Sequence, residues 1–161
     1  MNPNYALAHI NLGNTLKTLK DYQKAKECYE KAIEINPNYA NSHNNLGIIF
    51  KELGEYQKAK SCYEKAILIK PDYADAHNNL GVILKELGEN QKAKSFYEKA
   101  IEINPNYANA HNNLGLIFKE LCEYQKAKGC YEKAIEINPN YTLAHNNLGI
   151  IFKALKDYQK A

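Results

Sequence analysis

Residues 40–73 read ANSHNNLGIIFKELGEYQKAKSCYEKAILIKPDY, and this stretch decides the fold. From Ala40 to Leu53 the apolar residues Leu46, Ile49, Phe50 and Leu53 recur at three and four positions, the spacing of one face of an α-helix. Gly54 then ends the helix, because glycine accepts the left-handed cap without a Cβ clash. From Tyr56 to Ile69 a second helix carries Ala59, Cys62, Tyr63, Ala66, Ile67 and Ile69. Lys70-Pro71-Asp72-Tyr73 stops it, since proline lacks an N–H and disfavours helix in the residue before it. Two helices of about 14 residues joined by about two residues must pack antiparallel. Gly47, Ala59 and Ala66 let their backbones approach, and Leu46, Phe50 and Tyr63 interdigitate around them.

The stretch is one unit of a repeat. Proline falls at positions 3, 37, 71, 105 and 139, always 34 apart. Gly13, Gly47, Gly81, Gly115 and Gly149 keep the same step, as do Ala25, Ala59, Ala93, Ala127 and Ala161. The units beginning at Ala40 and Ala108 agree at 27 of 34 places, so a single packing solution is being reused. A fixed period of this size means a solenoid, whose extended surface binds rather than reacts. The pattern predicts helix pairs at residues 6–19 with 22–35, 40–53 with 56–69, 74–87 with 90–103, and 108–121 with 124–137. A lone helix is expected at 142–155, with the chain stopping a few residues into its partner.

Composition narrows the function. A chain of 161 residues, 45% hydrophobic, supports one continuous core and not two ordinary domains. No apolar run approaches the length of a membrane span, and Met1 leads straight into a repeat spacer with no signal peptide. A cytoplasmic, reducing setting is expected. The net charge of +3 comes from 21 basic and 18 acidic residues that alternate along the helices, which marks a solvated face and not a polyanion stripe. Nucleic-acid and membrane partners are therefore not expected. Cys28, Cys62 and Cys130 share one place in their repeats, and Phe96 takes it in another. A site that accepts Cys or Phe is an apolar packing site, and helices roughly 8–10 Å apart cannot bridge it with a disulfide.

Leu46, Gly47, Phe50, Ala59, Tyr63, Ala66 and Pro71 match the signature of the tetratricopeptide repeat. The resemblance recurs through four units and into a fifth: residues 6–39, 40–73, 74–107, 108–141 and the partial 142–161. It implies an all-α, right-handed superhelical solenoid of antiparallel helix pairs, formed by residues 1–161 as a single array. The sequence departs from the family at His9, His43, His77, His111 and His145, where a large aromatic is common, and at Lys20, Cys122 and Lys156, which replace the glycine cap. The histidines are read as stand-ins for core aromatics. A shared zinc ion is excluded, since ligands about 2.0–2.1 Å from one metal cannot come from side chains one repeat apart.

In this family the side of each first helix opposite its core face lines a concave groove. Placed at 100° per residue, the groove side stacks into rows. Asn11, Asn45, Asn79, Asn113 and Asn147 form one; Asn44, Asn78, Asn112 and Asn146 form a second, with Ile10 in the first repeat. Ile48, Val82, Leu116 and Ile150 form an apolar third, headed by Asn14, and Lys17, Lys51, Lys85, Lys119 and Lys153 a fourth. Paired asparagines in mid-helix cost helix propensity and need a reason. A carboxamide offers both donor and acceptor, so an asparagine ladder can bond the main chain of an extended peptide. The other reading is that the asparagines bond each other or neighbouring backbone and solvate the groove.

The resemblance also bears on partners. The groove lacks the Lys or Arg clamp with which some members hold chaperone tail carboxylates; those places hold Asn and Ile, with Asn41, Asp75 and Asn109 at the helix starts. The repeated Ala-His-Asn-Asn-Leu-Gly is similar to the asparagine-ladder arm of O-GlcNAc transferase. The expected function is thus a protein-interaction scaffold gripping an extended segment. The alternatives are the substrate-recognition arm of a larger enzyme, such as a glycosyltransferase, and an end-to-end self-assembling scaffold. No catalytic grouping, phosphate loop or cofactor motif appears, and the chain is not expected to be an enzyme or to carry a cofactor. The uncapped last helix, with Leu148, Ile151, Phe152 and Leu155, is expected either to be covered by further chain beyond Ala161 or to meet another molecule, most simply the face around Leu12 and Leu16 of a second copy.

Overall fold

The structure, a computed structural model, describes residues 3–158. It is all-helical over those residues: α1 (Pro3–Thr18), α2 (Tyr22–Ile35), α3 (Ala40–Glu52), α4 (Tyr56–Ile69), α5 (Ala74–Glu86), α6 (Asn90–Ile103), α7 (Ala108–Glu120), α8 (Tyr124–Ile137) and α9 (Thr142–Tyr158). The pairs α1/α2, α3/α4, α5/α6 and α7/α8 pack most extensively, and α9 packs on α8. No helix among the described residues is long and apolar enough to cross a membrane.

The four second helices lie where the periodicity predicts. The inner first helices end one residue early, because the turn is a Schellman motif that begins at the leucine. Leu53 is the αR cap, Gly54 takes φ 74°, Gly54 N donates to Lys51 O at 3.0 Å, and Glu55 N donates to Phe50 O at 2.8 Å. Lys20 and Cys122 adopt the same left-handed cap with φ 60° and 58°. At the chain's start, α1 begins at Pro3 rather than at residue 6, since proline is tolerated in a first turn. At the other end α9 runs on to Tyr158 through the place where a turn was expected at Lys156. By the period a tenth helix is expected to start at Tyr158, which instead ends α9, and residues 159–161 lie outside the described residues.

The core is a column threaded through the stack. Tyr29, Tyr63, Tyr97 and Tyr131 are buried, as are Leu46, Ile49, Leu80, Ile83, Leu114 and Ile117. Cys62, Phe96 and Cys130 pack against it, and Cys28 is buried, as expected of an apolar site. The backbones of successive first helices come close (α1 with α3, α3 with α5, α5 with α7, α7 with α9), whereas among the described residues those of successive second helices stay farther apart. The stack therefore curves with the first helices on its inner wall.

Candidate functional site: the inner wall of the first helices

The asparagine rows interlock. Asn79 Nδ2 donates to Asn44 Oδ1, Asn113 Nδ2 to Asn78 Oδ1 and Asn147 Nδ2 to Asn112 Oδ1, each at 3.0 Å. Each rung joins one repeat to the one before it, and the acceptor sits 35 residues upstream of the donor. Asn44, Asn78 and Asn112 are only 3%, 5% and 3% exposed. For these three the mutual bond is the role the structure shows, and it explains a mid-helix pair that propensity disfavours. Asn44 also meets the Tyr73 hydroxyl, whose pKa is raised by burial. The outer row of Asn45, Asn79, Asn113 and Asn147 is half-buried, while Asn11 and Asn146 are exposed.

The first junction solves the same problem differently. Ile10 stands where an acceptor would be, and Asn14 stands one turn later, where the other repeats carry Ile48, Val82, Leu116 and Ile150. Positions four apart share a helix face, so the amide has moved one turn along it. Asn45 Nδ2 now donates to Asn14 Oδ1 at 3.1 Å, and the Tyr29 hydroxyl donates to the same oxygen at 2.8 Å. Tyr63 and Tyr131 face the aliphatic replacements, and their buried hydroxyls have no hydrogen-bond partner among the described residues.

Beside the amides, Ile48, Val82 and Leu116 are half-buried and Ile150 is exposed. The lysine row continues the wall. Lys51 pairs with Glu52 at 3.0 Å, Lys85 reaches Glu120 of the next repeat at 2.9 Å, and Lys119 is half-buried. Such partly exposed pairs contribute little to stability. The wall is thus a set of fixed amides, an aliphatic strip and a charged margin.

The histidines carry a role that sequence reading missed. His43, His77, His111 and His145 each place Nε2 at 2.8–2.9 Å from the carbonyl of Pro37, Pro71, Pro105 and Pro139. A carbonyl only accepts, so Nε2 carries the proton and donates. The ring ties each first helix to the loop that precedes it, which a phenyl ring could not do. The signal was present as a constant His–Pro spacing of six residues. Burial pushes the Cys62 and Cys130 thiols up to about 11, so neither is a nucleophile at neutral pH.

Comparison with known proteins agrees with this architecture. Tetratricopeptide-repeat profiles match residues 6–39, 72–140, and 28–61 with 130–161, and a further TPR repeat profile matches 49–88. No match was found among curated protein sequences. Among solved structures, the chain is similar to that of the MamA protein, with 28% identity over 96% of this chain and 85% of that one and a TM-score of 0.79. It is similar to pilF of Pseudomonas aeruginosa, with 25% identity over 96% and 71% and a TM-score of 0.88. It is also similar to the first TPR of Spaghetti (RPAP3), solved bound to an HSP90 peptide, with 25% identity over 76% and 97% and a TM-score of 0.73. Together the profile matches run from residue 6 to 161, the stacked helices of the described residues follow the same repeats, and the chain belongs to the tetratricopeptide-repeat family.

Proposed function

We propose that this chain is a protein-interaction scaffold whose inner wall holds an extended peptide segment, and that it acts by binding and not by catalysis. One observation carries the reading: amides held in fixed orientation recur at one-repeat steps beside an aliphatic strip. A rung engages one N–H of Asn45, Asn79 or Asn113. The carboxamide retains its second N–H and its carbonyl oxygen for a ligand main chain. Because the rung locks the side chain, little rotamer entropy remains to be lost on binding. An extended strand advances about 3.3 Å per residue and helices stack roughly 8–10 Å apart, so each repeat meets about three peptide residues.

The chemistry of the wall selects the partner. The similar RPAP3 structure holds the peptide SRMEEVD. Here Asn41, Asp75 and Asn109 open the first helices and present no cation to a terminal carboxylate, so an acidic chaperone tail does not fit. The aliphatic strip of Ile48, Val82 and Leu116 favours a segment with small apolar side chains at about every third residue.

A peptide array probed with the full chain supplies such a segment, and its affinity is then measured by calorimetry. Val82→Thr with Leu116→Thr is expected to weaken it about tenfold or more through lost apolar contact, with the melting temperature lowered only slightly. Undiminished affinity in a folded double variant overturns the reading.

A further inference from the structure

The lysine row of the inner wall is matched by carboxylates at a regular step, with one member left out. Glu52, Glu86 and Glu120 stand 35 residues after Lys17, Lys51 and Lys85, on the next first helix, and Ala154 stands 35 after Lys119. The step is that of the asparagine rungs. Lys85 uses it, with Nζ 2.9 Å from Glu120 Oε1. Lys51 turns instead to the residue that follows it, Glu52, at 3.0 Å.

Both routes are closed to Lys119. The residue after it is Glu120, whose Oε1 meets Lys85 and whose Oε2 accepts from Asn90 Nδ2 at 3.3 Å. Asn90 takes the place of Tyr22, Tyr56 and Tyr124, so the other complete repeats have no amide there. Glu123, one turn beyond Lys119, pairs with Lys126. Lys119 is thus half-buried and has no ion-pair partner among the described residues. It follows Leu116 by one turn on the same helix face, at the edge of the aliphatic strip. An ammonium partly withdrawn from water is best held by an opposite charge.

We infer that Lys119 selects an acidic side chain in the segment held on the wall. An aspartate or glutamate of an extended peptide places its carboxylate on the Lys119 ammonium, as Glu120 does on Lys85, beside the apolar residue seated on Leu116. This selection presupposes the peptide-holding wall proposed above and adds the residue type read at its fourth repeat. The group selected is a side chain within the segment and not a terminal carboxylate. Lys17, Lys51 and Lys85 have a carboxylate of the chain itself one step ahead, so the acid is read at one place along the wall and fixes the register of the peptide.

The probe is a set of labelled peptides of about twelve residues, roughly three per repeat, blocked at both ends. Valine stands at every third position and serine elsewhere, and one serine at a time is replaced by glutamate or by glutamine. Binding to the full chain is read by fluorescence anisotropy. At one position glutamate should bind about threefold to fivefold tighter than glutamine, the strength of a partly exposed ion pair. Lys119→Gln should erase that difference. Ala154→Glu should erase it too, because it leaves the lysine in place and supplies the carboxylate that the inner repeats have, while glutamine peptides bind this variant as they bind the parent. Lys65→Gln, an equal loss of charge on α4, should keep the preference. All three variants should match the parent in helicity and melting temperature. Peptides that bind without preferring glutamate anywhere, or a preference that survives either Lys119→Gln or Ala154→Glu, overturn this inference alone. If no peptide binds the parent up to ~1 mM, the peptide-holding wall is overturned and the selection falls with it.

Discussion

At the scale of single residues, two glycines of the same chain should answer one substitution in opposite ways. Gly81→Ala puts a methyl 2.6 Å from Tyr97 Cε1 in a buried seam. The overpacking cost, about 1–3 kcal/mol, outweighs the helix propensity gained, about 0.5–1 kcal/mol. Gly129 lies in α8 with open space around it, so Gly129→Ala should stabilise by up to about 1 kcal/mol. Denaturant melts of both variants check the pair, and equal signs would refute it. Asn78→Ala tests the rungs: it leaves the Asn113 amide without its acceptor in a half-buried setting and should cost about 1–3 kcal/mol. The small glycines were legible from the repeat. The partner of each asparagine was not, because it depends on a one-residue stagger between neighbouring repeats that a single helical wheel does not contain.

Among the elements, the second helices were legible to the residue, since a proline stop and an alanine-tyrosine-alanine face bound them on both sides. The first helices were harder at their ends, where the cap geometry and not hydrophobic spacing sets the boundary. Leu19–Ala25 and Leu155–Ala161 are the same heptapeptide, LKDYQKA. Its first residues turn at Lys20, with φ 60°, yet Leu155–Tyr158 continue α9. In the first copy a docked second helix, α2, follows the turn, and among the described residues none follows α9. Where lysine or cysteine holds φ near 60°, glycine is the better cap. Cys122→Gly should raise stability by about 0.5–1 kcal/mol, read as a shifted denaturation midpoint. The same change should remove the fast-reacting thiol of the native chain. Cys122 is exposed, whereas burial holds Cys28, Cys62 and Cys130 above their usual range. Thiol titration at pH 8 should find one rapid group in the parent and none in the variant.

Over the whole molecule, a buried tyrosine in each complete repeat makes the fold sensitive to alkali. Burial pushes Tyr29 up to about 12 and moves Tyr63, Tyr97 and Tyr131 the same way. The folded chain then binds more protons than the unfolded one above the ordinary tyrosine pKa, about 10. The stabilisation is full below that pH and is lost as pH rises from about 10 through 12. Circular dichroism against pH should stay flat to about pH 9 and then fall steeply; a chain fully helical at pH 12.5 would contradict the burial of this column.

The rungs have one more consequence, for length. Donor and acceptor are offset by one repeat plus one residue, so each inner junction is interchangeable with the next. Excising residues 74–107 joins Tyr73 to Ala108 and brings the Asn113 amide to the Asn44 carbonyl, re-forming the rung that Asn79 makes in the parent. The shortened chain should fold with unchanged helicity per residue and a lower melting temperature, as expected of a nearest-neighbour stack. Such an array can be lengthened or cut only in whole repeats, so a peptide held as proposed would be measured along the inner wall in steps of about three residues.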